Sequence, residues 1–276
     1  FRGGNNNAAW DAEDRTLLGR PASNISRTNF RTYARNKGTG WEMLTYGAHR
    51  AVTFLFILEY ATRNSQLAVN ASLDANGFKQ GGLGAGVTNL SSFAWDTWNS
   101  SNPFVPMGYS NSLGTGTGEV DLAMPSGYGT LTTKVNRYRG IELPFGHIWK
   151  NTDGLNWKAS AVDGNVPYYT DDDSLFNDAD YTGFTELSQA PSSTGYISRM
   201  ESGHITPTSV TGGGDSVYWA DSYYQSLPSS GESLRTVLFG GSVFFGSNAG
   251  LGGSLSNYSP ASASANFGSR LCYFPT

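Results

Sequence analysis

Cysteine is nearly missing from this chain: Cys272 is the only one in 276 residues. A single thiol excludes an internal disulfide framework, and it excludes a paired-thiol metal or redox site. Charge is also scarce. Asp, Glu, Lys and Arg make up 14% of the residues, well below the roughly one quarter usual in globular domains. The net charge is −4, with no Lys/Arg block and no basic stripe. Nucleic-acid binding needs a positive footprint to neutralise phosphates, so no nucleic-acid partner is expected. The most apolar run, Ala51–Leu58, is too short to span a bilayer, and no membrane insertion is expected. There is no internal repeat. The chain opens on Phe1 rather than Met, so a fragment or processed product is expected, and the lack of a visible targeting segment carries no information.

Glycine and aromatics are plentiful instead, with 35 Gly and 13% Phe, Trp and Tyr. That mixture, with many Ser and Asn, suggests long loops and turns packed on a β-rich frame, and the apolar content is enough for a core. Length permits one large domain or two small ones. Residues 1–40 carry Arg2, Arg15, Arg20, Arg27, Arg31 and Arg35 at wide spacing, offset by Asp11, Glu13 and Asp14. They are read as a solvated or interface-forming arm for assembly or attachment, and 41–276 as the ligand-binding domain.

The best helix candidate lies near 46–64. Ala48, Ala51, Val52, Leu55, Leu58 and Ala61 recur at three- and four-residue steps. Phe54, Phe56 and Ile57 fill the other sides, so burial almost all round is expected. Glu59, inside this helix, must then be paired, and is read as tying down a neighbouring loop. GGLGAG (81–86) has phosphate-loop glycines, but no strand precedes it and no Lys-Ser/Thr follows, so it is read as a loop. SFAWDTWN (92–99) and 124–138 read as short strands and turns. Five aspartates fall within 171–180, off the spacing of a twelve-residue calcium loop. They are read as a solvated acidic loop, with a bound structural cation as the alternative. RTVLFGGSVFF (235–245) alternates as a strand.

The most unusual stretch comes near the end. No charged residue occurs from Thr236 to Ser269, and eight of the 28 residues from Ser242 to Ser269 are serine. Phe244, Phe245, Tyr258 and Phe267 punctuate it, and a strand-like Leu-Cys-Tyr-Phe follows. A plain Ser/Gly linker seldom carries such rings. Gly240-Gly241 permits a bend where a strand ends, and Trp149 beside Phe145 and Ile148 is a core anchor by size. Arg270, a lone charge closing an uncharged run, is read as forking onto a carboxylate or carbonyls to pin the returning strand.

Four stretches together carry a resemblance: FLFILEYATRNSQ (54–66), NRYRGIELPFGHIWKNTDGLN (136–156), LRTVLFGGSVFFGSNAGL (234–251) and ANFGSRLCYF (265–274). They span about 220 residues in one order and resemble the C-type-lectin-fold proteins diversified by retroelements, many of which are phage tail receptor-binding proteins. The fold implied is α+β, the C-type lectin variant shared with formylglycine-generating enzymes, with short antiparallel strands, long loops and a buried helix. In that family a G-N-[IV]-W-E-W block forms the core, an R-x-x-R-G-G-S-W strand follows, and a variable loop closes at G-F-R or G-[SA]-R. Here the block is Gly146-His147-Ile148-Trp149-Lys150-Asn151, the strand is Leu238-Phe239-Gly240-Gly241-Ser242-Val243, and the closure is Gly268-Ser269-Arg270. The family's Trp is replaced by Val243.

In this family the retroelement mutates template adenines, so that Asn codons become Tyr, Ser, Phe, Ala or Val. The resemblance therefore implies a variable ligand-binding surface of Val243, Phe244, Phe245, Ser247, Asn248, Ser254, Ser256, Asn257, Tyr258, Ser262 and Ser264. Tyr and Phe supply rigid contact area while Ser, Gly and Asn supply adaptable hydrogen bonds, the mixture found in antibody paratopes. The expected function is non-catalytic recognition of a host-cell surface protein or glycan at a phage tail fibre tip, in the virion. Other tail proteins are expected partners, as is a homo-oligomer, a trimer in related phage proteins. The alternative setting is a bacterial cell-surface adhesin.

Enzymes of the same fold are the rival. Formylglycine-generating oxidases bind copper with two cysteines, and this chain has one. Non-haem iron relatives use three clustered histidines, whereas His49, His147 and His204 are isolated in sequence. No Gly-x-Ser-x-Gly elbow is present. No catalytic residue, metal or cofactor is expected, and Cys272 is read as a buried, inert thiol.

Overall fold

The computed structural model describes residues 22–72, 107–123, 132–212, 219, 221–242, 245, 248–264 and 266–275. These form a mixed α+β structure, mostly strands with few helices, around a curled sheet. The expectations for 81–86, 92–99 and 124–131, and for residues 1–21 of the arm, lie outside the described residues.

Helix α1 (Arg27–Arg35) begins at Ser26, whose hydroxyl accepts from Asn29 N–H, satisfying a donor the first turn leaves unpaired. Strand β1 (Trp41–Met43) follows. Helix α2 (Tyr46–Tyr60) begins in the same way, with Thr45 accepting from Ala48 N–H, and ends at Ala61 in the left-handed region (φ 50). A short helix α3 (Ser65–Val69) is capped by Asn64. Strands β2 (Gly118–Ala123), β3 (Thr132–Tyr138) and β4 (Ile141–Glu142) make an antiparallel three-stranded sheet.

The main sheet has nine strands: β5 (Trp149–Ser160), β6 (Gly164–Tyr169), β7 (Thr185–Glu186), β8 (Gly195–Met200), β9 (Pro207–Thr211), β10 (Ser222–Tyr224), β11 (Glu232–Phe239), β12 (Ser254–Leu255) and β13 (Phe267–Gly268). Its order is β7-β6-β5-β11-β12-β10-β8-β9, with β13 alongside β5. Most neighbours are antiparallel, as expected; β10–β12 and β13–β5 are parallel. The last strand, β14 (Leu271–Tyr273), pairs with β1.

Strand β11 departs from the alternation expected of 235–245: it ends at Phe239, and its last four residues are all buried. Val237 and Phe239 enter one core with Tyr46, Leu155, Trp157 and Tyr223. Leu238 enters another with Trp149, Leu255 and Phe267 on the opposite face. A strand covered on both faces needs apolar residues at successive positions. Burying each of these large side chains contributes about 1.5–3 kcal/mol.

Three expectations need correction. Helix α2 is buried along Tyr46, His49, Thr53 and Phe56 only, while Leu55 and Leu58 are 57% and 79% exposed. In a helix apolar on every side, spacing cannot choose the inward face; here the rings of Tyr46 and Phe56 take it and the smaller-residue stripe is left outside. Glu59 is thus not sealed in, although it does tie down a loop: Arg139, in the turn after β3, grips it through Nε (2.9 Å) and Nη2 (2.8 Å). Second, 22–34 packs on the domain rather than standing solvated. Ala22, Ile25, Phe30 and Ala34 form a core with Met43, and Arg27 is fully buried. Third, the aspartate-rich loop is not wholly solvated, because Asp178 receives both Arg27 (2.7 Å) and Arg31 (3.0 Å).

Candidate functional site

The uncharged segment is a long loop straddling one strand. It leaves β11 at Phe239, which pairs with Lys150 of β5. It returns as β13, in which Gly268 also pairs with Lys150 and Phe267 with Trp149. Gly240 and Gly241 make the exit, both at positive φ (94° and 76°), where an L side chain is strained. Gly240 C=O accepts from Gly146 N–H at 2.7 Å, and Gly240 N–H donates to Gly253 C=O at 2.9 Å. At the return, Trp149 N–H donates to Asn266 C=O at 2.9 Å. Both feet of the loop therefore stand on β5, which is buried at all but one of its twelve positions.

Between the feet the expected surface residues divide. Ser254 and Ser256 are 1% and 0% exposed, which removes them from the ligand-binding set. Ser254 sits in β12 between β11 and β10. Ser256 N–H donates to Tyr224 C=O at 2.9 Å and its hydroxyl lies 3.3 Å from the Tyr223 hydroxyl. Phe245 is half-buried, edge-on to Trp149 (5.0 Å) and Tyr224 (4.8 Å), so it is a wedge between core and surface. Asn248 is half-buried and donates to the Tyr224 hydroxyl at 2.9 Å. Asn257, Ser262 and Ser264 are partly exposed. Tyr258 is 40% exposed and rests its ring edgewise on Phe267 at 4.8 Å. Val243, Phe244 and Ser247 lie outside the described residues.

The supports of this surface were not singled out in the sequence. Asp221, 1% exposed, accepts from Gly252 N–H at 2.7 Å. Burial pushes its carboxyl up to about 8, against the opposing pull of the Gly252 and Gly253 N–H groups. A Cβ on Gly250 would collide with this carboxyl, so the glycine admits the acid beneath the loop. Arg235 Nη1 donates to Asn257 C=O at 2.8 Å, and Thr236 N–H donates to Tyr258 C=O at 2.9 Å. The available signal was an acid set beside the aromatic cluster Trp219, Tyr223 and Tyr224. Arg270, by contrast, does what was expected of it: Nη2 donates to Glu142 C=O and Leu143 C=O, pinning the returning chain.

The remaining chemistry-bearing residues serve the framework. His49 is buried, with Nε2 2.9 Å from Leu251 C=O. Burial, and then the charges of Lys150 and Arg270, lower it to about 4, so it is neutral at pH 7 and donates to that carbonyl. His147 Nε2 lies 2.6 Å from Lys134 C=O, and His204 stacks on the Tyr46 ring at 6.0 Å. Burial raises the Cys272 thiol. Among the described residues no three His, Cys, Asp or Glu are grouped to hold a metal ion. No helix among them is long and apolar enough to cross a membrane.

No protein-family model matches this chain, and no curated protein does.

Proposed function

We propose that this chain is a non-catalytic receptor-binding module that displays the 245–264 loop to a host-cell surface protein or glycan. The observation that carries this reading is the straddled strand: exit and return are both paired to Lys150 of β5, while Asn257, Tyr258, Ser262 and Ser264 stay at the surface without a charge among them. A rigid scaffold presenting a loop is a common way to build a binding site. Lack of charge spares an interface the desolvation of ions left unpaired.

The fold, in the same proposal, is the C-type lectin variant shared with formylglycine-generating enzymes. Supporting it, the four stretches that carry the resemblance meet in space. Phe56 of the first packs with Tyr138 and Phe145 of the second and Leu251 of the third. Leu238 of the third and Phe267 of the fourth pack on Trp149 of the second. The setting proposed is a phage tail fibre tip, with other tail proteins as partners and a homotrimer raising avidity for weak single sites.

The test uses the full chain immobilised on beads and a panel of bacterial strains. Retention of cells of one or more strains is expected. It is expected to vanish in the combined variant Asn257→Ala, Tyr258→Ala, Ser262→Ala and Ser264→Ala, with the chain still folding cooperatively and its melting temperature lowered by only a few degrees. Periodate treatment of the cells removes a glycan receptor and protease treatment a protein one. Undiminished retention by the combined variant would overturn the assignment of the surface.

A further inference from the structure

A cavity of about 660 Å³ lies between α2, the connection from β4 to β5 and the 268–272 segment. Leu44, Ala48, Val52 and Ile148 give it apolar walls, and Lys150 and Arg270 also line it. Lys150 is 5% exposed and its Nζ donates to Ile148 C=O at 3.0 Å and to Gly146 C=O at 3.3 Å. Arg270 uses Nη2 on the carbonyls of Glu142 and Leu143. Its Nε and Nη1 make no hydrogen bond among the described residues.

Neither Lys150 nor Arg270 has a carboxylate within ion-pair distance among the described residues. Burial, and then the charge of Arg270, lower Lys150 well below the usual lysine range, so Arg270 is the cation of the pair. The acid on the cavity wall, Glu142, turns its carboxylate to Gly108 N–H (2.5 Å), Ser110 N–H (2.8 Å) and the Ser110 hydroxyl (2.9 Å). Elsewhere this protein pairs its buried arginines: Arg27 and Arg31 both meet Asp178, and Arg31 also meets Asp153. Buried charge is normally paired or hydrogen-bonded to completion. A guanidinium with donors unfilled, set beside an apolar hollow and next to the Lys150 amine, is complementary to an anion that carries an apolar body. Cavities of this size, mostly apolar with a few convergent polar groups, suit small ligands.

We propose that this cavity binds a small organic acid, its carboxylate on the remaining donors of Arg270 beside Lys150 and its apolar tail against Leu44, Ala48 and Val52. A carboxylate there accepts charge-assisted hydrogen bonds in a site that excludes most water. The proposal stands independently of the receptor-binding surface, since none of Asn257, Tyr258, Ser262 and Ser264 lines the cavity.

Octanoate, below its micellar concentration, is the probe. Titration calorimetry on the full chain is expected to give saturable binding of one octanoate per chain, with octanol about tenfold weaker or worse. Ala48→Phe, which fills the cavity without touching its charges, is expected to weaken octanoate binding by about tenfold or more, as is Arg270→Gln. Arg270→Gln also removes the pin on Glu142 and Leu143, so its melting temperature is measured alongside, and Ala48→Phe decides if it does not fold. Absence of saturable octanoate binding to the parent chain overturns the proposal, as does octanol binding equally well or an Ala48→Phe variant that binds unchanged.

Discussion

Arg27 Nε lies 2.7 Å from Asp178 Oδ1, a contact between residues 151 positions apart. The same guanidinium donates to Leu155 C=O at 3.0 Å and to Asn156 Oδ1 at 2.7 Å. Arg31, one turn along α1, adds a second cation to Asp178 and meets Asp153 at 2.5 Å. Asp178 thus clamps α1 to the aspartate-rich loop, and the same two arginines hold α1 to β5 through Asp153, Leu155 and Asn156. Burial alone would raise Asp178, but the charge of Arg27 and the hydrogen bonds of Arg31 and Thr28 outweigh it and hold the carboxyl at about 2.

Removing that carboxylate leaves two desolvated guanidinium groups short of a partner. Asp178→Ala is expected to cost about 3–5 kcal/mol, the range for breaking a buried ion pair. Because the folded pKa lies below the usual 3.8, the contribution is complete above about pH 4 and is lost as pH falls from there towards 2. Urea denaturation of parent and variant from pH 7 down to pH 2 checks both. The gap should narrow by about 2 kcal/mol towards the acid end; a gap that persists unchanged to pH 2 would show that charge is not what Asp178 supplies.

This clamp also marks where sequence reading stops. Arg27 and Asp178 each looked like an ordinary surface charge, and no local pattern announces a partner 151 residues away. Local and chemically specific features were legible: the glycine pair at the end of β11, Trp149 as a core anchor, Arg270 as a pin on carbonyls, and the strand in Leu-Cys-Tyr-Phe. The serines were not. Ser256 and Ser262 have the same side chain in the same uncharged run, yet one is sealed under Tyr223 and Tyr224 and the other faces out. A small side chain fits both places at little cost, so its burial is decided by strands distant in sequence. Helix α2 failed for a related reason, since apolar residues on every side leave the inward face to tertiary packing.

The exit of the loop depends on backbone freedom. At Gly241, φ is 76°, and a Cβ would stand 2.6 Å from Ala249 Cβ. Gly241→Ala meets both the dihedral penalty and the overlap, and is expected to cost about 1–3 kcal/mol or more. Gly203, also at positive φ (74°) but with open space around it, is the control: Gly203→Ala should lose about 1 kcal/mol from the dihedral alone. Thermal melts of the two variants distinguish them, and equal losses would show that the Ala249 contact is absent in solution.

Framework and display positions should separate in stability. Trp149→Ala deletes a ring 1% exposed and is expected to cost about 3–5 kcal/mol. Phe245→Ala, which loses edge contacts to Trp149 and Tyr224, should fall between, at about 1–3 kcal/mol. Tyr258→Ala removes a side chain 40% exposed and should cost about 1 kcal/mol or less. Chemical denaturation ranks the three. A Tyr258→Ala loss comparable to that of Trp149→Ala would make the Tyr258–Phe267 contact part of the core and remove Tyr258 from the display surface.

Asp221 makes the loop's support sensitive to pH. Its carboxyl titrates near 8 when folded, against an ordinary value of 3.8. Between those values the native chain keeps a proton that the unfolded chain has lost. Protons bound preferentially by the native state mean stability that falls as pH rises, so the loss runs from about pH 4 to about pH 8, at roughly 1.4 kcal/mol per pKa unit of difference. Asp221→Asn retains an oxygen to accept from Gly252 N–H and does not titrate. The variant is therefore expected to match the parent near pH 4 and to exceed it by a few kcal/mol at pH 8. Taking the difference between the two chains cancels the other groups that titrate in the window. Hydrogen exchange at Gly252 and Gly253 gives a local readout: protection there should weaken with rising pH in the parent and hold in the variant. A parent–variant difference that stays flat from pH 4 to pH 8 would mean that Asp221 is charged in the folded protein, held by the loop's N–H groups against its burial.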